Sequence, residues 1–381
     1  MPVENGQVLI SPDSHIIERR ELWTERLPEM FRERLPDRYR PRADASPRRQ
    51  APVAANGASA DRRSNQPIFG AGIDPEKRIS EMELDGLTAE VLYPTEAMTM
   101  FHMQDAELQE ACFRVYNDNL LEYCSIAPDR IYGIGLMSAY NIDNAVRELE
   151  RCRKGGMVGG MVWMTPHPTL PFSLSDHYDR LWAAAQDLEV PISLHINTGF
   201  DARSTAQMSG SKEPEGAKKY AVEAVNDRLR GAADSLLDIM FTGALDRYPK
   251  LKIVIAECEI CWIPTYLQQW DHSVRRWSEQ PGKGGGVIPT GIELMPSEYF
   301  ARQIFATFLE DEVGGHALEW WKAGQDNCMW STDFPHSRTS WPHSRELMAK
   351  EIGHLPPHVI QKVVHDNAIR LYGLRVPELV A

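Results

Sequence analysis

The sequence has few cysteines, no long apolar run and no excess of positive charge. Six cysteines among 381 residues do not make a disulfide framework, so we expect reduced thiols and a cytoplasmic protein. A transmembrane helix needs about 18 consecutive apolar residues, and no run approaches that length. Residues 1–7 also lack the basic start and the apolar stretch of a secretory signal. These absences predict a protein with no membrane partner.

The balance of charge in the chain is acidic. It has 54 Asp and Glu residues against 41 Lys and Arg residues, which gives a formal net charge of −13. A general nucleic-acid binder presents a basic face that replaces the counterions on phosphates, so we expect no nucleic-acid partner. Hydrophobic residues make up 43% of the chain and charged residues 25%, which are ordinary values for a folded protein. We therefore expect a small-molecule substrate as the partner.

Short apolar or β-branched runs alternate with amphipathic, helix-like stretches along the chain. Near-continuous apolar strands are typical of a parallel sheet that helices cover on both faces. Eight such runs with helical crossovers predict a single α/β domain over residues 1–381, a distorted (β/α)8 TIM barrel. An open doubly wound sheet is the alternative, but no Gly-rich phosphate loop follows any run. The runs cover residues 8–10, 89–93, 131–137, 160–164, 191–195, 252–257, 303–307 and 328–331.

Two segments interrupt this alternation. Residues 36–67 are rich in Pro, Arg, Ala and Ser and include seven arginines. This segment is either a solvated excursion from the barrel or a basic lid that holds an anionic substrate tail. Residues 278–296 carry four glycines between positions 282 and 286 and predict a loop insertion.

Polar residues stand at the ends of several predicted strands. In a barrel of this class the chemistry lies at the C-terminal ends of the strands. Asp13 and His15 are two residues apart, so in an extended backbone their side chains point the same way and can hold one ion. Each residue alone has an ordinary explanation, such as a helix cap or a local turn. Together they predict a metal site formed by Asp13, His15, His195, Glu257 and Asp333.

Five motifs carry a resemblance to a known family. They are Ser11-Pro-Asp-Ser-His15, Arg78-Ile-Ser-Glu-Met-Glu-Leu-Asp-Gly-Leu87, Leu194-His195, Tyr248-Pro-Lys-Leu-Lys-Ile-Val-Ile-Ala-Glu257 and Ser331-Thr-Asp-Phe-Pro-His336. In these motifs the chain resembles the amidohydrolase-related family, the branch that includes aminocarboxymuconate semialdehyde decarboxylase and the resorcylate-type decarboxylases. The resemblance implies an amidohydrolase-like barrel, a homodimer and a bound divalent metal. The ligands that it implies are Asp13, His15, His195 and Asp333.

The chain departs from that family at two positions. Asp13 stands where the family's usual first-strand motif has the first His of His-x-His, and Glu257 replaces the strand-six His with which the decarboxylases handle a proton. A site with two imidazoles and three carboxylates suits a pair of hard, redox-active ions. We therefore expect two iron ions, with zinc or manganese as the alternative. His336, three residues after Asp333, is a further ligand or a proton donor.

Two enzymatic functions remain open at this point. The first is a non-haem di-iron monooxygenase that hydroxylates an apolar, carboxylate-bearing small molecule in secondary metabolism, similar to the enzyme of platensimycin-type antibiotic biosynthesis. The alternative is a divalent-metal-dependent hydrolase or a non-oxidative decarboxylase of a small carboxylic acid. We favour the monooxygenase because both departures from the family pattern exchange imidazole for carboxylate. The catalytic residues in these hypotheses are Glu257, Asp333 and His336.

Overall fold

Eight parallel strands form a barrel, in the order in which they occur in the sequence. A computed structural model describes residues 8–41, 68–173, 175–200, 214–279 and 292–376 of the protein. Every strand pairs in parallel with the next, which confirms the predicted (β/α)8 barrel. The strands are β1 (Ile10–His15), β2 (Ala89–Tyr93), β3 (Ile131–Leu136), β4 (Gly159–Thr165), β5 (Ile192–Gly199), β6 (Ile253–Ala256), β7 (Ile304–Phe308) and β8 (Cys328–Trp330).

Helices alternate with the strands, as the crossovers of a parallel sheet require. Among the helices of the described ranges, none is both long enough and apolar enough to cross a membrane. Short 3-10 turns cover Asp37–Tyr39 and Ala97–His102, and a π turn covers Lys362–Asp366. The α-helices are α1 (Glu21–Arg26), α2 (Glu29–Arg32), α3 (Ile68–Ile73), α4 (Pro75–Asp85), α5 (Ala106–Cys124), α6 (Ile142–Gly155), α7 (Ser175–Asp187), α8 (Pro214–Phe241), α9 (Ala244–Arg247), α10 (Ile263–Glu279), α11 (Pro296–Gln303), α12 (Glu312–Ala317), α13 (Lys322–Asn327), α14 (Ser344–Ile352), α15 (Pro357–Gln361) and α16 (Asn367–Tyr372).

The strands are buried on both faces. All residues of β1, β2, β3, β6, β7 and β8 are buried, and β4 and β5 each have one residue that is partly exposed. This burial explains why the strands are near-continuous apolar runs rather than alternating ones. The core of the protein is therefore the barrel interior together with the layer between strands and helices.

Two strands extend further than the apolar runs indicate. The first run ends at Ile10, but β1 continues to His15, and β5 continues from His195 to Gly199. The pairing of β1 with β2 shifts its register between Ser11 and Ser14, around a proline that has no N–H to donate. Polar strand ends of this kind have no hydrophobic pattern, so the sequence underestimates their length.

The barrel closes between β8 and β1 just beyond the end of β8. Asp333 N donates to Asp13 O (3.0 Å), and His15 N donates to Phe334 O (2.7 Å). We call this junction the seam. Three of the predicted metal ligands therefore lie next to the seam, Asp13 and His15 on the β1 side and Asp333 on the β8 side.

The two interrupting segments are described only in part. Residues 42–67, which hold most of the predicted basic lid, and residues 280–291 of the predicted Gly-rich loop lie outside the described residues. The arginines at the start of the first segment bind the protein's own backbone: Arg38 Nη2 donates to Thr99 O (3.2 Å) and Arg40 Nε donates to Leu35 O (2.8 Å). These two side chains hold the chain in place, so the lid remains a prediction for the other five arginines.

Candidate metal centre

Four predicted ligands converge inside the C-terminal end of the barrel, and all four are buried. His15 Nε2 lies 3.6 Å from Asp13 Oδ1 and 3.2 Å from Asp333 Oδ1. His195 Nε2 lies 3.5 Å from the same Asp13 oxygen. Strands β1 and β5 and the segment after β8 thus bring two imidazoles and two carboxylates to one point.

Three of the atoms that face this point make no hydrogen bond within the described part of the protein: Asp13 Oδ1, His15 Nε2 and His195 Nε2. The fourth, Asp333 Oδ1, has His336 Nδ1 2.8 Å away. A buried polar atom without a partner costs about 1–3 kcal/mol, so three of them at one point require an explanation. Two nitrogens and two oxygens at these separations are the ligand set of a divalent transition ion. The residues present therefore fit the metal that the sequence predicts.

Neighbouring groups orient each ligand toward this point. His15 Nδ1 lies 2.7 Å from Pro94 O and His195 Nδ1 lies 3.0 Å from Ile196 O. Because a carbonyl oxygen only accepts, both Nδ1 atoms carry a hydrogen, and both Nε2 atoms face the cluster. Asp13 is oriented in the same way, since its Oδ2 accepts from Thr307 Oγ1 (2.7 Å) and its Oδ1 remains for the ion.

The electrostatics of the cluster favour a cation. Burial, together with the nearby His336, lowers the pKa of His15 to about 4, so this ligand is neutral at neutral pH. Burial alone would also lower the pKa of His195, but the carboxylates of Asp13 and Glu257 outweigh it and raise this pKa to about 9. The carboxylates therefore stabilise positive charge at the point where the four ligand atoms meet.

Glu257 follows β6 directly and completes the cluster on that side. Its Oε2 lies 3.8 Å from His195 Nε2, and its backbone has a φ of 56°, which is unusual for a residue with a side chain. Asp333 has the same feature, with a φ of 51°, and such strained positions often occur at functional sites. Burial and the charge of Asp333 raise the pKa of Glu257 to about 7.

His336 contacts Asp333 from the outer side of the cluster. Its Nδ1 lies 2.8 Å from Asp333 Oδ1, and its ring stacks on His15 with the centroids 3.9 Å apart. Its Nε2 lies 3.1 Å from Thr95 Oγ1, which itself donates to Ile16 O, so this nitrogen also carries a hydrogen. Burial lowers the pKa of His336, but the Asp333 carboxylate outweighs it and raises this pKa. His336 is therefore an imidazolium that holds Asp333 in place.

Thr307 connects two of these residues and was not identified from the sequence as part of the site. Besides donating to Asp13, its Oγ1 accepts a hydrogen bond from Glu257 N (2.8 Å). Thr307 therefore fixes the Asp13 carboxylate and the backbone of Glu257 with one hydroxyl group. The available signal was its position as a polar residue near the end of an otherwise apolar strand.

Arg78 belongs to one of the family motifs, and the sequence alone predicts no role for it. Its guanidinium is fully buried and donates to Glu90 Oε2 (2.6 Å), His15 O (2.7 Å) and Phe334 O (3.3 Å). The two carbonyls belong to opposite sides of the seam. Ser14 Oγ also donates to Glu90 Oε1 (3.0 Å), which connects β1 to the same ion pair. Arg78 thus fixes the backbone from which Asp13, His15 and Asp333 project.

Aromatic rings form a wall beside the cluster. Trp163 of β4 is the pairing partner of His195 in β5, so the two side chains point the same way. Tyr140 and Phe200 contact Trp163 edge to face, with ring centroids 5.2 and 6.2 Å away, and His167 contacts Tyr140 and Phe200 at 5.8 and 4.7 Å. We call Tyr140, Trp163, His167 and Phe200 the aromatic wall.

Comparison with known proteins agrees with this geometry. Residues 72–374, well over half of the chain, match the family model of the amidohydrolases. The chain belongs to the amidohydrolase family. This amidohydrolase is 29% identical over 237 residues to the gamma-resorcylate decarboxylase of Rhodococcus jostii strain RHA1, a match that covers 58% of the chain and 64% of that relative. It is 25% identical over 271 residues to the gamma-resorcylate decarboxylase of Polaromonas sp. strain JS666, covering 68% of the chain and 76% of that relative.

Solved structures show the same fold. The dihydroxybenzoic acid decarboxylase of Polaromonas sp. JS666, with bound manganese and 2-nitroresorcinol, superposes with a TM-score of 0.67 at 19% identity over 98% of this amidohydrolase and all of that chain. The 5-carboxyvanillate decarboxylase of Novosphingobium aromaticivorans, also with bound manganese, gives a TM-score of 0.69 at 18% identity over 97% of this chain and 98% of the other.

The prediction of a di-iron monooxygenase is wrong. The curated relatives of this amidohydrolase are decarboxylases, and the manganese in the similar structures gives no support to a pair of iron ions, an oxidoreductase or antibiotic biosynthesis. The physical reason lies in the arrangement of the carboxylates. The Oδ1 atoms of Asp13 and Asp333 face one common point beside His15 Nε2, so three carboxylates in the sequence do not require a second ion. The role of each site residue stays a prediction.

Proposed function

We propose that this amidohydrolase is a divalent-metal-dependent, non-oxidative decarboxylase of a small aromatic carboxylic acid. The observation that carries the proposal is the convergence of four buried ligand atoms next to the aromatic wall. The curated relatives are decarboxylases of gamma-resorcylate, an aromatic acid, which supports the same class of substrate.

One ion, manganese or zinc, would be held by Asp13, His15, His195 and Asp333. When bound, such an ion supplies a Lewis acid that attracts the oxygens of an anionic substrate. The aromatic wall would pack against the substrate ring and exclude water from it. Because the wall starts from the pairing partner of His195, a ring held there lies next to the ligand cluster.

Decarboxylation breaks the bond between the ring carbon and the carboxylate carbon, and the bonding electron pair remains on the ring. Carbon dioxide leaves, and one proton must reach the ring carbon. We assign this proton transfer to Glu257, which lies at the end of β6 beside His195. His336 is the alternative donor, but its nitrogens already face Asp333 and Thr95.

The test is to incubate the manganese-loaded enzyme with gamma-resorcylate, 5-carboxyvanillate and related hydroxybenzoates, with and without oxygen. We expect carbon dioxide release at the same rate in both conditions and, in deuterated water, one deuterium on the carbon that loses the carboxylate. Oxygen consumption, or hydrolysis of an ester or amide panel without decarboxylation of any acid, would overturn the proposal.

A further inference from the structure

A second cluster of imidazoles and a carboxylate lies on the outer surface of the protein. His316 of α12 and Glu319, which follows that helix, meet His354, which follows α14. His316 Nδ1 lies 2.9 Å and His354 Nε2 lies 3.3 Å from the same oxygen, Glu319 Oε1. The side chain of His316 is 60% exposed, that of His354 is 29% exposed and that of Glu319 is 52% exposed. We call them the surface triad.

The two His–Glu separations within the surface triad, 2.9 and 3.3 Å, are close to those around a tetrahedral zinc ion. Zinc binds imidazole nitrogen and carboxylate oxygen at about 2.0–2.1 Å, which places neighbouring ligand atoms about 3.3 Å apart. One potential ligand atom from each of the three residues lies within 4.8 Å of the other two. The imidazole rings converge on the carboxylate with their centroids 4.4 Å apart. An ion can therefore enter with only small movements of exposed side chains.

The ligand-bearing segments are held together by backbone packing. A Cβ at Gly315, next to His316, would lie 2.7 Å from Glu351 O in α14, so the absence of a side chain there allows the close approach. The start of α12 is also fixed, since Asp311 Oδ1 accepts from Gly314 N (2.8 Å) and Asp311 Oδ2 accepts from Ile260 N (2.6 Å). These contacts set the distance between His316 and His354 independently of any ion.

The charge on the triad also suits a cation. Glu319 brings a carboxylate to the point where the two imidazoles meet, and its negative charge attracts a cation. Two imidazoles and one carboxylate favour zinc over magnesium or calcium, which prefer sites made of oxygen ligands.

We propose that His316, Glu319 and His354 form a second divalent-metal site, selective for zinc-like ions, with its fourth position open to water. Because the ligands come from both sides of the contact between α12 and α14, a bound ion links these helices and stabilises the folded chain. The proposal is independent of the decarboxylase assignment, since none of its residues contributes to the interior cluster.

The experiment is a zinc titration of the metal-free full-length protein, monitored by calorimetry. The thermal unfolding midpoint of the protein is also measured with and without zinc. We expect two equivalents of zinc for the wild type, and one for His316→Ala, His354→Ala or Glu319→Gln. Zinc should also raise the unfolding midpoint less in these variants than in the wild type. The variants are at exposed positions, and circular dichroism of the metal-free proteins checks that they fold.

The matched control is His343→Ala. His343 pairs with Glu346 at the same spacing as His316 with Glu319, with 3.5 Å between Nδ1 and Oε2, but this pair belongs to no three-residue cluster within the described ranges. We expect this variant to keep both equivalents. If the three triad variants bind as many equivalents of zinc as the wild type, the surface site is wrong whatever the enzyme catalyses.

Discussion

The interior cluster and the surface triad use the same residue types in opposite environments. In the interior, Asp13, His15, His195 and Asp333 are buried, and the facing atoms of the first three make no hydrogen bond within the described part of the protein. On the surface, the two histidines of the triad contact the Glu319 carboxylate, and all three side chains reach solvent. Solvent therefore reaches the side chains of the surface triad, whereas the four interior ligands have almost no exposed surface.

This difference predicts different roles for the two sites. A ligand atom that is buried, oriented by a second hydrogen bond and left without a partner is prepared for an ion before the ion arrives. His15, His195 and Asp13 meet all three conditions through Pro94, Ile196 and Thr307. The surface triad meets none of them, so we expect weaker binding there and a stabilising role without catalysis.

The largest effect on activity is expected when one charge is removed from the interior cluster, and the same change in the surface triad is the control. Asp13→Asn keeps the shape of the ligand but removes its charge, so bound manganese should be lost and decarboxylation should fall by about 1000-fold or more. Glu319→Gln makes the same change in the surface triad and should leave the decarboxylation rate unchanged. Metal analysis and carbon dioxide release measure both. Full activity in Asp13→Asn would show that Asp13 is not a metal ligand.

The next effect separates proton transfer from metal binding. Glu257→Gln should retain the metal and lower kcat by about 100- to 10,000-fold, because an amide cannot deliver the proton. His336→Gln should lower kcat less and should weaken manganese binding, since it loosens Asp333. If instead His336→Gln abolishes turnover while Glu257→Gln is active, the proton donor is His336. Carbon dioxide release by the two variants at saturating manganese distinguishes the two outcomes.

The sequence predicts the barrel and the ligand residues for reasons that can be named. Eight apolar runs predict eight strands because a parallel sheet is buried on both faces, and strand ends meet at one face of a barrel. The spacing of Asp13 and His15 places both side chains on one side of β1. The number of ions could not be derived in this way, since it depends on where the carboxylate oxygens point.

The groups that hold the site were harder to foresee. Arg78 acts on the backbone of His15 and Phe334, and a contact with a carbonyl has no side-chain signature in the sequence. The surface triad depends on the close contact of α12 with α14 at Gly315, two elements that are distant along the chain. Such contacts come from tertiary packing, which hydrophobic periodicity does not describe.

Arg78→Lys tests whether the interior site depends on the seam. Lysine keeps the charge but cannot reach three acceptors in fixed directions, so we expect manganese affinity to fall by about 10- to 100-fold. The free energy of unfolding should fall by about 2–3 kcal/mol as well. Manganese titration followed by electron paramagnetic resonance measures the affinity, and urea unfolding of the metal-free protein measures the stability.

Arg130→Lys is the matched control for this change. Arg130 also donates to one glutamate side chain, that of Glu83, and to two backbone carbonyls, those of Leu87 and Thr88. None of these residues belongs to the ligand cluster. It should lower stability without changing manganese affinity. Equal affinities in the two variants would show that Arg78 stabilises the fold without positioning the ligands.

The smallest expected effect concerns Glu351, a carboxyl group between the two clusters. Its Oε2 accepts from Trp330 Nε1 (3.0 Å) of β8, and its backbone oxygen meets Gly315 beside the surface triad. Burial raises the pKa of Glu351 from 4.5 to about 7. The folded state therefore binds more protons than the unfolded state between these values, and stability is lost as the pH rises from 4.5 to 7.

Glu351→Gln removes this loss and should stabilise the protein above pH 7 by about 1 kcal/mol, a figure reduced for the partial exposure of the side chain. Below pH 4.5 the carboxyl group is protonated in both states, so the difference between variant and wild type should disappear there. Urea unfolding of both proteins across this range measures the difference. If the variant is more stable than the wild type by the same amount at low and high pH, the difference comes from packing and not from ionisation. The charge of Glu351 would then cost the folded protein no stability.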